Sequence, residues 1–274
     1  MSLSVFPKVS IITPSFNQGS YIERTIQSVR TQNYPYVEHL VIDGGSTDNT
    51  VEILQQHPHV IWVSEKDRGQ ADAMNKGLVK SMGDIVGWIN SDDFYEENIF
   101  ASVVESFQDP ETMWVIGNLT YLFDRTGEMV RDKSPHVTLD RLVRNPDIVR
   151  QLPTFFRKAF LERAGGWNSE YFMTMDFDLW VRLAKLSPPK MVDRNFAYFR
   201  IHAHQKTSLA NVRLQTKEII AILEREQVSW GIRAHLRLKK WRYLIKGYLK
   251  TCLVSHGFLN SKYLHQPIRA KSRT

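Results

Sequence analysis

Asn90-Ser91-Asp92-Asp93 puts two adjacent carboxylates straight after the apolar run Ile85–Ile89. An apolar run of that length is a buried strand. Acids at its carboxyl end lie where open α/β sheets bind ligands. Such a pair can hold a hard divalent cation against phosphate; it can also cap the next helix, with Glu96 and Glu97 in the following turn. Asp43 precedes Gly44-Gly45, where backbone can approach a ligand closely. Its carboxylate suits the imide N–H of a uracil or thymine, or simply a turn. Asp176 and Asp178 stand two apart at a helix start, so they do not share a face. One can face a cleft as general base for a hydroxyl; as first-turn acids, both also favour the helix dipole. His202 and His204 alternate on a strand, which admits at most one of them to a site. Arg200 or Lys206 can neutralise a diphosphate, or remain solvated.

These residues need a frame. Val9–Thr13, His39–Ile42, Val60–Val63 and Ile85–Ile89 read as four short strands, the first ended by Pro14. Between them, Tyr21–Arg30, Thr50–Gln56 (with Asp48 as N-cap) and Gln70–Met82 have helical patterning, and Asn98–Phe107 follows. Strand–helix alternation predicts a parallel sheet covered on both faces. The rhythm then changes. Met113–Phe123 and Glu128–Val130 flank a turn at Arg125-Thr126-Gly127, and Leu139–Pro153 is loop or short helix. Asp176–Leu186 is a helix, Met191–Val192 and Ala197–Ile201 are short strands, and Asn211–Glu226 and Arg233–Leu253 are helices. The expected division is a catalytic domain over 1–210 and a basic helical extension over 211–274.

The chain has 274 residues, with hydrophobic and charged fractions ordinary for a globular protein. Its one cysteine, Cys252, excludes an internal disulfide framework and a cysteine-based metal site. The start shows no secretory pattern. The longest stretch without Asp, Glu, Lys or Arg, Val9–Ile22, has 14 residues, short of the roughly 20 of a membrane span. A cytoplasmic location is expected. The net charge of +7 is concentrated at one end: residues 227–274 carry 11 Lys and Arg and no acid. The remainder is slightly acidic, which argues against a nucleic-acid-binding protein. In the tail, Leu238, Trp241, Ile245, Tyr248, Leu249 and Cys252 form an apolar stripe beside Lys239, Arg242, Lys246 and Lys250. That pattern suits docking on the catalytic domain, or peripheral contact with the inner face of an anionic membrane.

Six segments taken together, VSIITPSFNQ, LVIDGGSTDNT, EKDRGQADAMNKG, WINSDDF, MDFDLWVRL and FRIHAHQKTS, resemble the family-two inverting glycosyltransferases of the GT-A fold, especially bacterial enzymes of cell-surface polysaccharide synthesis. The resemblance covers roughly 7–208. It implies a Rossmann-like, mostly parallel sheet with flanking helices. It also implies that Thr13, Ser15 and Asp43 hold the nucleoside, with Asp67 and Arg68 in the same pocket. Asp92 then lies near the ribose, Asp93 and His202 on Mn²⁺ or Mg²⁺, and Asp176 acts as base. Two positions depart from the family pattern. Met175 stands where a Glu is usual, and Ser91-Asp92-Asp93 lacks the first acid of Asp-x-Asp. The implied substrates are a nucleotide-sugar donor, UDP or dTDP favoured, and a saccharide or lipid-linked acceptor. A sugar nucleotidyltransferase is the nearest rival, but it would carry a Gly-rich basic loop where this chain has Pro14-Ser15-Phe16-Asn17.

Overall fold

The structure, a computed structural model, describes residues 6–202 and 211–238. It divides into two compact units, Met1–Ile201 and His202–Thr274.

The first unit opens with four parallel strands in the order β3-β2-β1-β4. They are β1 (Val9–Ser15), β2 (Val37–Asp43), β3 (Val60–Ser64) and β4 (Ile85–Trp88). Their crossovers are α1 (Ile22–Arg30), α2 (Thr50–Gln55) and α3 (Gln70–Lys80). Every residue of β1 and β4 is buried, as expected for strands covered on both faces. α1 buries Ile22, Thr25, Ile26 and Val29, one stripe at helical spacing. β1 does not stop at Pro14: it continues to Ser15, paired with Asp43. The register with β4 ends at Ile12, so the missing proline N–H leaves no bond to β4 unmade. The N-cap of α2 is Asn49 rather than Asp48, although Asp48 Oδ1 accepts from Thr50 N at 3.0 Å.

Beyond β4 the sheet becomes mixed. β5 (Phe94–Tyr95) and α4 (Ile99–Ser106) precede the hairpin of β6 (Trp114–Phe123) and β7 (Met129–Asp132). α5 (Leu139–Arg144), β8 (Thr154–Arg157), α6 (Lys158–Arg163), α7 (Met175–Leu186) and β9 (Lys190–Ile201) follow. β8 lies antiparallel between β4 and β6, β9 runs parallel to β6, and β5 pairs antiparallel with β9. β9 is one strand where two were expected. Its polar middle is held by side chains: Asn118 and Lys133 donate to Asp193, and Thr120 to Asn195.

α7 is locked onto this half by aromatic stacking. Trp180 packs against Trp114 and Phe156, with ring centroids 5.8 and 5.7 Å apart. Trp114 Nε1 donates to Ser187 O just past the helix end. In the second unit, α8 (Val212–Arg225) is amphipathic, and residues 230–238 are helical. No helix among the described residues is long and apolar enough to cross a membrane.

Candidate active site

The carboxyl ends of β1 and β2 are joined by a closed network. Asp43 is fully buried. Its Oδ2 accepts from Gly45 N, Ser46 N and Ser64 Oγ, and its Oδ1 from Ser46 Oγ. Asn17 N donates to Ser46 Oγ, and Asn17 Oδ1 accepts from Thr47 N. Gly45 has φ +83°, a conformation that favours glycine. A Cβ on Gly44 would stand 2.9 Å from Asp67 Oδ2, so glycine here lets the Asp67 carboxylate lie against the backbone. Ser15 pairs with Asp43 in register, is buried, and its Oγ has no hydrogen-bond partner. A buried hydroxyl without a partner calls for an explanation, and a ligand supplies one.

Asp92 and Asp93 follow β4, and neither caps a helix. The next element is β5, and α4 starts at Ile99 with Asn98 as its N-cap. Asp93 is buried, whereas Asp92 is half-buried. Asp93 Oδ1 accepts from Arg200 N at 2.9 Å, and Oδ2 from Asn90 Nδ2 at 3.0 Å. Burial, and next the charge of Asp92, push the Asp93 carboxyl well above the usual carboxylate range; the two hydrogen bonds only partly oppose this. Thr25 Oγ1 donates to Ser91 O and Asp93 O, fastening the turn to α1.

Three residues without an individual expectation complete this support. Asn90 Oδ1 accepts from Gln70 Nε2 and Trp88 Nε1, while its Nδ2 also donates to Gln151 Oε1. Gln151 Nε2 donates to Trp88 O. Gln70 and Asn90 sit inside recognisable motifs, but nothing local in the sequence ties Gln151 to them.

Among the described residues, no three His, Cys, Asp or Glu side chains converge as a metal cage. A cation held by one or two carboxylates and the phosphates of a substrate needs no such cage. A buried carboxylate with an acidic neighbour is a donor set suited to that arrangement.

The pair on α7 separates as its spacing predicts. Asp178 is fully buried, and its Oδ2 accepts from Arg182 Nε at 2.8 Å. Arg182 also donates to Ala164 O and Gly166 O, so Asp178 ties α7 to the preceding loop. Asp176 is half-buried, and its Oδ1 accepts from Phe177 N.

Other expected residues take different places. Thr13 is buried, and its hydroxyl shares a 2.9 Å hydrogen bond with His39 Nε2 rather than facing the loops. Arg68 is 83% exposed and pairs with Asp72, one turn into α3. Asp67 Oδ1 accepts from Gly69 N, shaping the loop from which Arg68 projects. His202 is half-buried directly after β9. His204, Lys206 and the tail beyond Leu238 lie outside the described residues.

The model of the family described as "Glycosyl transferase family 2" matches residues 10–165. The chain belongs to glycosyl transferase family 2. It is an enzyme of the glycosyltransferase class. A chondroitin synthase of Escherichia coli is 25% identical over 257 residues, which is 92% of this chain and 36% of that protein. An uncharacterized glycosyltransferase of Mycobacterium tuberculosis is 31% identical over 191 residues, covering 67% of this chain and 71% of its own length. Among solved structures of like fold, Staphylococcus aureus TarS with UDP-GlcNAc has a TM-score of 0.62 at 18% identity, covering 93% of this chain and 77% of that one. A mannosyltransferase from Pyrobaculum calidifontis with GDP-Man and Mn²⁺ has a TM-score of 0.63 at 18% identity, with the same coverage.

Proposed function

We propose that this glycosyltransferase moves a sugar from a nucleoside-diphosphate donor to an acceptor hydroxyl with inversion. The observation that carries this reading is the Asp92-Asp93 turn at the carboxyl end of β4, with Asp93 buried and oriented by Asn90 and Arg200. Asp93 would hold a divalent cation, Mn²⁺ or Mg²⁺, which when bound would supply neutralisation of the leaving diphosphate. His202 is proposed as a further ligand to that ion or the diphosphate. On the nucleotide side, the unpartnered Ser15 hydroxyl, Asp43 and the Asp67-Arg68 loop hold the nucleoside, with Asp92 near the ribose. Thr13 acts there through its main chain, since its hydroxyl is taken by His39. Asp176 removes the proton from the acceptor hydroxyl, and the freed oxygen attacks the anomeric carbon from the face opposite the leaving group.

The donors named with structures of like fold, UDP-GlcNAc and GDP-Man, favour a nucleotide sugar without fixing the base. The relatives named for chondroitin and teichuronic acid synthesis favour a saccharide acceptor. The test is a thermal-shift screen with UDP, dTDP, GDP and their sugars, with and without Mn²⁺. A ligand that binds only the folded state raises its melting temperature. Stabilisation by one nucleotide family, greater with the cation, is expected; no response to any nucleotide overturns the proposal.

The basic tail suits a cytoplasmic protein held peripherally on an anionic membrane, where a lipid-linked acceptor would be found. The intact chain should then sediment with anionic liposomes at low salt and be released as salt rises. A chain ending at Glu226, if folded, should not sediment. Equal behaviour of the two removes the tail as an anchor.

A further inference from the structure

Arg24 stands where a cation is poorly placed. It lies in the first turn of α1, at the positive end of the helix dipole. Its guanidinium lies 3.6 Å over the Phe94 ring, and Phe94 stacks on Tyr198 at 4.7 Å. No carboxylate among the described residues pairs with it. Glu23, its neighbour on α1, is engaged by His57 and Gln27. Asp124 binds Arg200 through both oxygens, at 3.1 and 2.9 Å. Burial and the nearby charge of Arg200 both work against the charged form of Arg24.

Yet Arg24 is held next to the acid turn from two directions. Thr25, the next residue, is bonded to the main chain of Ser91 and Asp93. Arg200 donates its backbone N–H to Asp93 while its guanidinium lies 4.7 Å over Tyr21. Arg24, backed by Phe94 and without a carboxylate of its own, is therefore a positive charge close to the acid turn, with Arg200 beside it. The leaving diphosphate would have its counter-charge in a cation held by Asp93, so the Arg24 charge suits the other substrate.

We infer that Arg24 and Arg200 bind an oxyanion, a phosphate or a carboxylate, carried by the acceptor, an inference that rests on the glycosyl-transfer reading. The Arg24 guanidinium presents a planar fork that matches either group, whereas that of Arg200 is engaged by Asp124 and adds its charge alongside. The acceptor would then be an anionic saccharide or a phosphate-linked one, held with its hydroxyl near Asp176.

The test titrates the full chain, saturated with UDP and Mg²⁺, with inorganic phosphate, methyl glucuronide and neutral methyl glucoside. Wild type should bind phosphate or the glucuronide at least about tenfold more tightly than the glucoside, the scale of one charge-assisted contact. The preferred probe tells phosphate from carboxylate. Arg24→Gln should lose that preference while UDP affinity stays within about twofold, and Arg24→Lys should restore part of it. Three outcomes overturn the inference: no preference for either anion in wild type, a preference unchanged in Arg24→Gln, or a UDP affinity that falls with the anion affinity. The last would assign Arg24 to the donor diphosphate. Failure of the wild type to bind any nucleotide is a different result, and it removes the glycosyl-transfer reading itself.

Discussion

The carboxylates at the ends of β2 and β4 are both buried, but they are compensated differently. Asp43 receives four hydrogen bonds from its own loop and from Ser64. Its charge is spread over donors the protein supplies. Asp93 receives two, from Asn90 and the Arg200 main chain, with a second acid alongside. The Asp43 carboxylate is satisfied without a ligand; the second turn holds a buried acid that its surroundings do not fully neutralise. Under the proposed function, shape and recognition fall to the parallel half of the sheet, and charge and chemistry to the junction where the sheet becomes mixed.

The sharpest way to break this contrast is Asp93→Ala. Losing the proposed cation ligand removes several kcal/mol of transition-state stabilisation, so transfer should fall by about 10³-fold or more. The variant also leaves the Arg200 N–H unpaired, at about 1–3 kcal/mol of stability. Nucleotide release from the sugar donor, followed at several cation concentrations, measures the first effect, and thermal unfolding the second. Cation-dependent turnover at the wild-type rate would sink the assignment.

The two acids of α7 sharpen the same distinction within one helix. Asp176→Asn should lower transfer about 10²-fold, the scale of lost general-base catalysis, with donor binding intact. Asp178→Asn should instead cost stability. It breaks a buried pair with Arg182, a change that removes roughly 3–5 kcal/mol. Kinetics and melting curves on both variants decide. If Asp178→Asn melts normally and has lost its activity, the roles are reversed.

This separation was legible in the sequence, because residues two apart on a helix cannot share a face. So were the strand–helix alternation and the β6–β7 hairpin. The second half was less so. β8 is four residues long, and its pairing with β4 joins positions some seventy residues apart; no local period reports such a contact. The same distance hid Gln151, whose amide reaches Asn90 and Trp88 across the sheet. Thr13 shows the opposite limit. The resemblance implies Thr13 at the nucleoside, and on a strand buried on both faces its hydroxyl meets His39.

The burial of His39 makes the parallel half acid-sensitive. Burial lowers the His39 pKa from 6.5 to about 3, with His59 and His57 adding to the effect. Between those values the unfolded chain binds a proton that the folded chain refuses. Stability from neutral His39 is therefore fully present above about 6.5 and is lost as pH falls toward 3. The slope for one such group is at most about 1.4 kcal/mol per pH unit. Urea unfolding across this range measures it. His39→Gln should flatten the slope, and an unchanged slope would remove His39 as its source.

Asp43→Asn is expected to have the smallest effect, and it tests the contrast from the recognition side. Asparagine keeps the shape but turns one carboxylate oxygen into a donor facing donors. The oxygen that remains can keep the Ser46 and Gly45 N–H bonds, while the amide nitrogen meets the Ser46 hydroxyl, which can rotate to accept. The loop should shift rather than collapse. A base lying against Gly44-Gly45 would then bind about tenfold more weakly, one hydrogen bond's worth. The acid turn after β4 shares none of these bonds, so the chemical step should be untouched. Raised KM for the donor with kcat unchanged is the signature of binding loss alone. A fall in kcat approaching that of Asp93→Ala would mean that the two turns act as one unit.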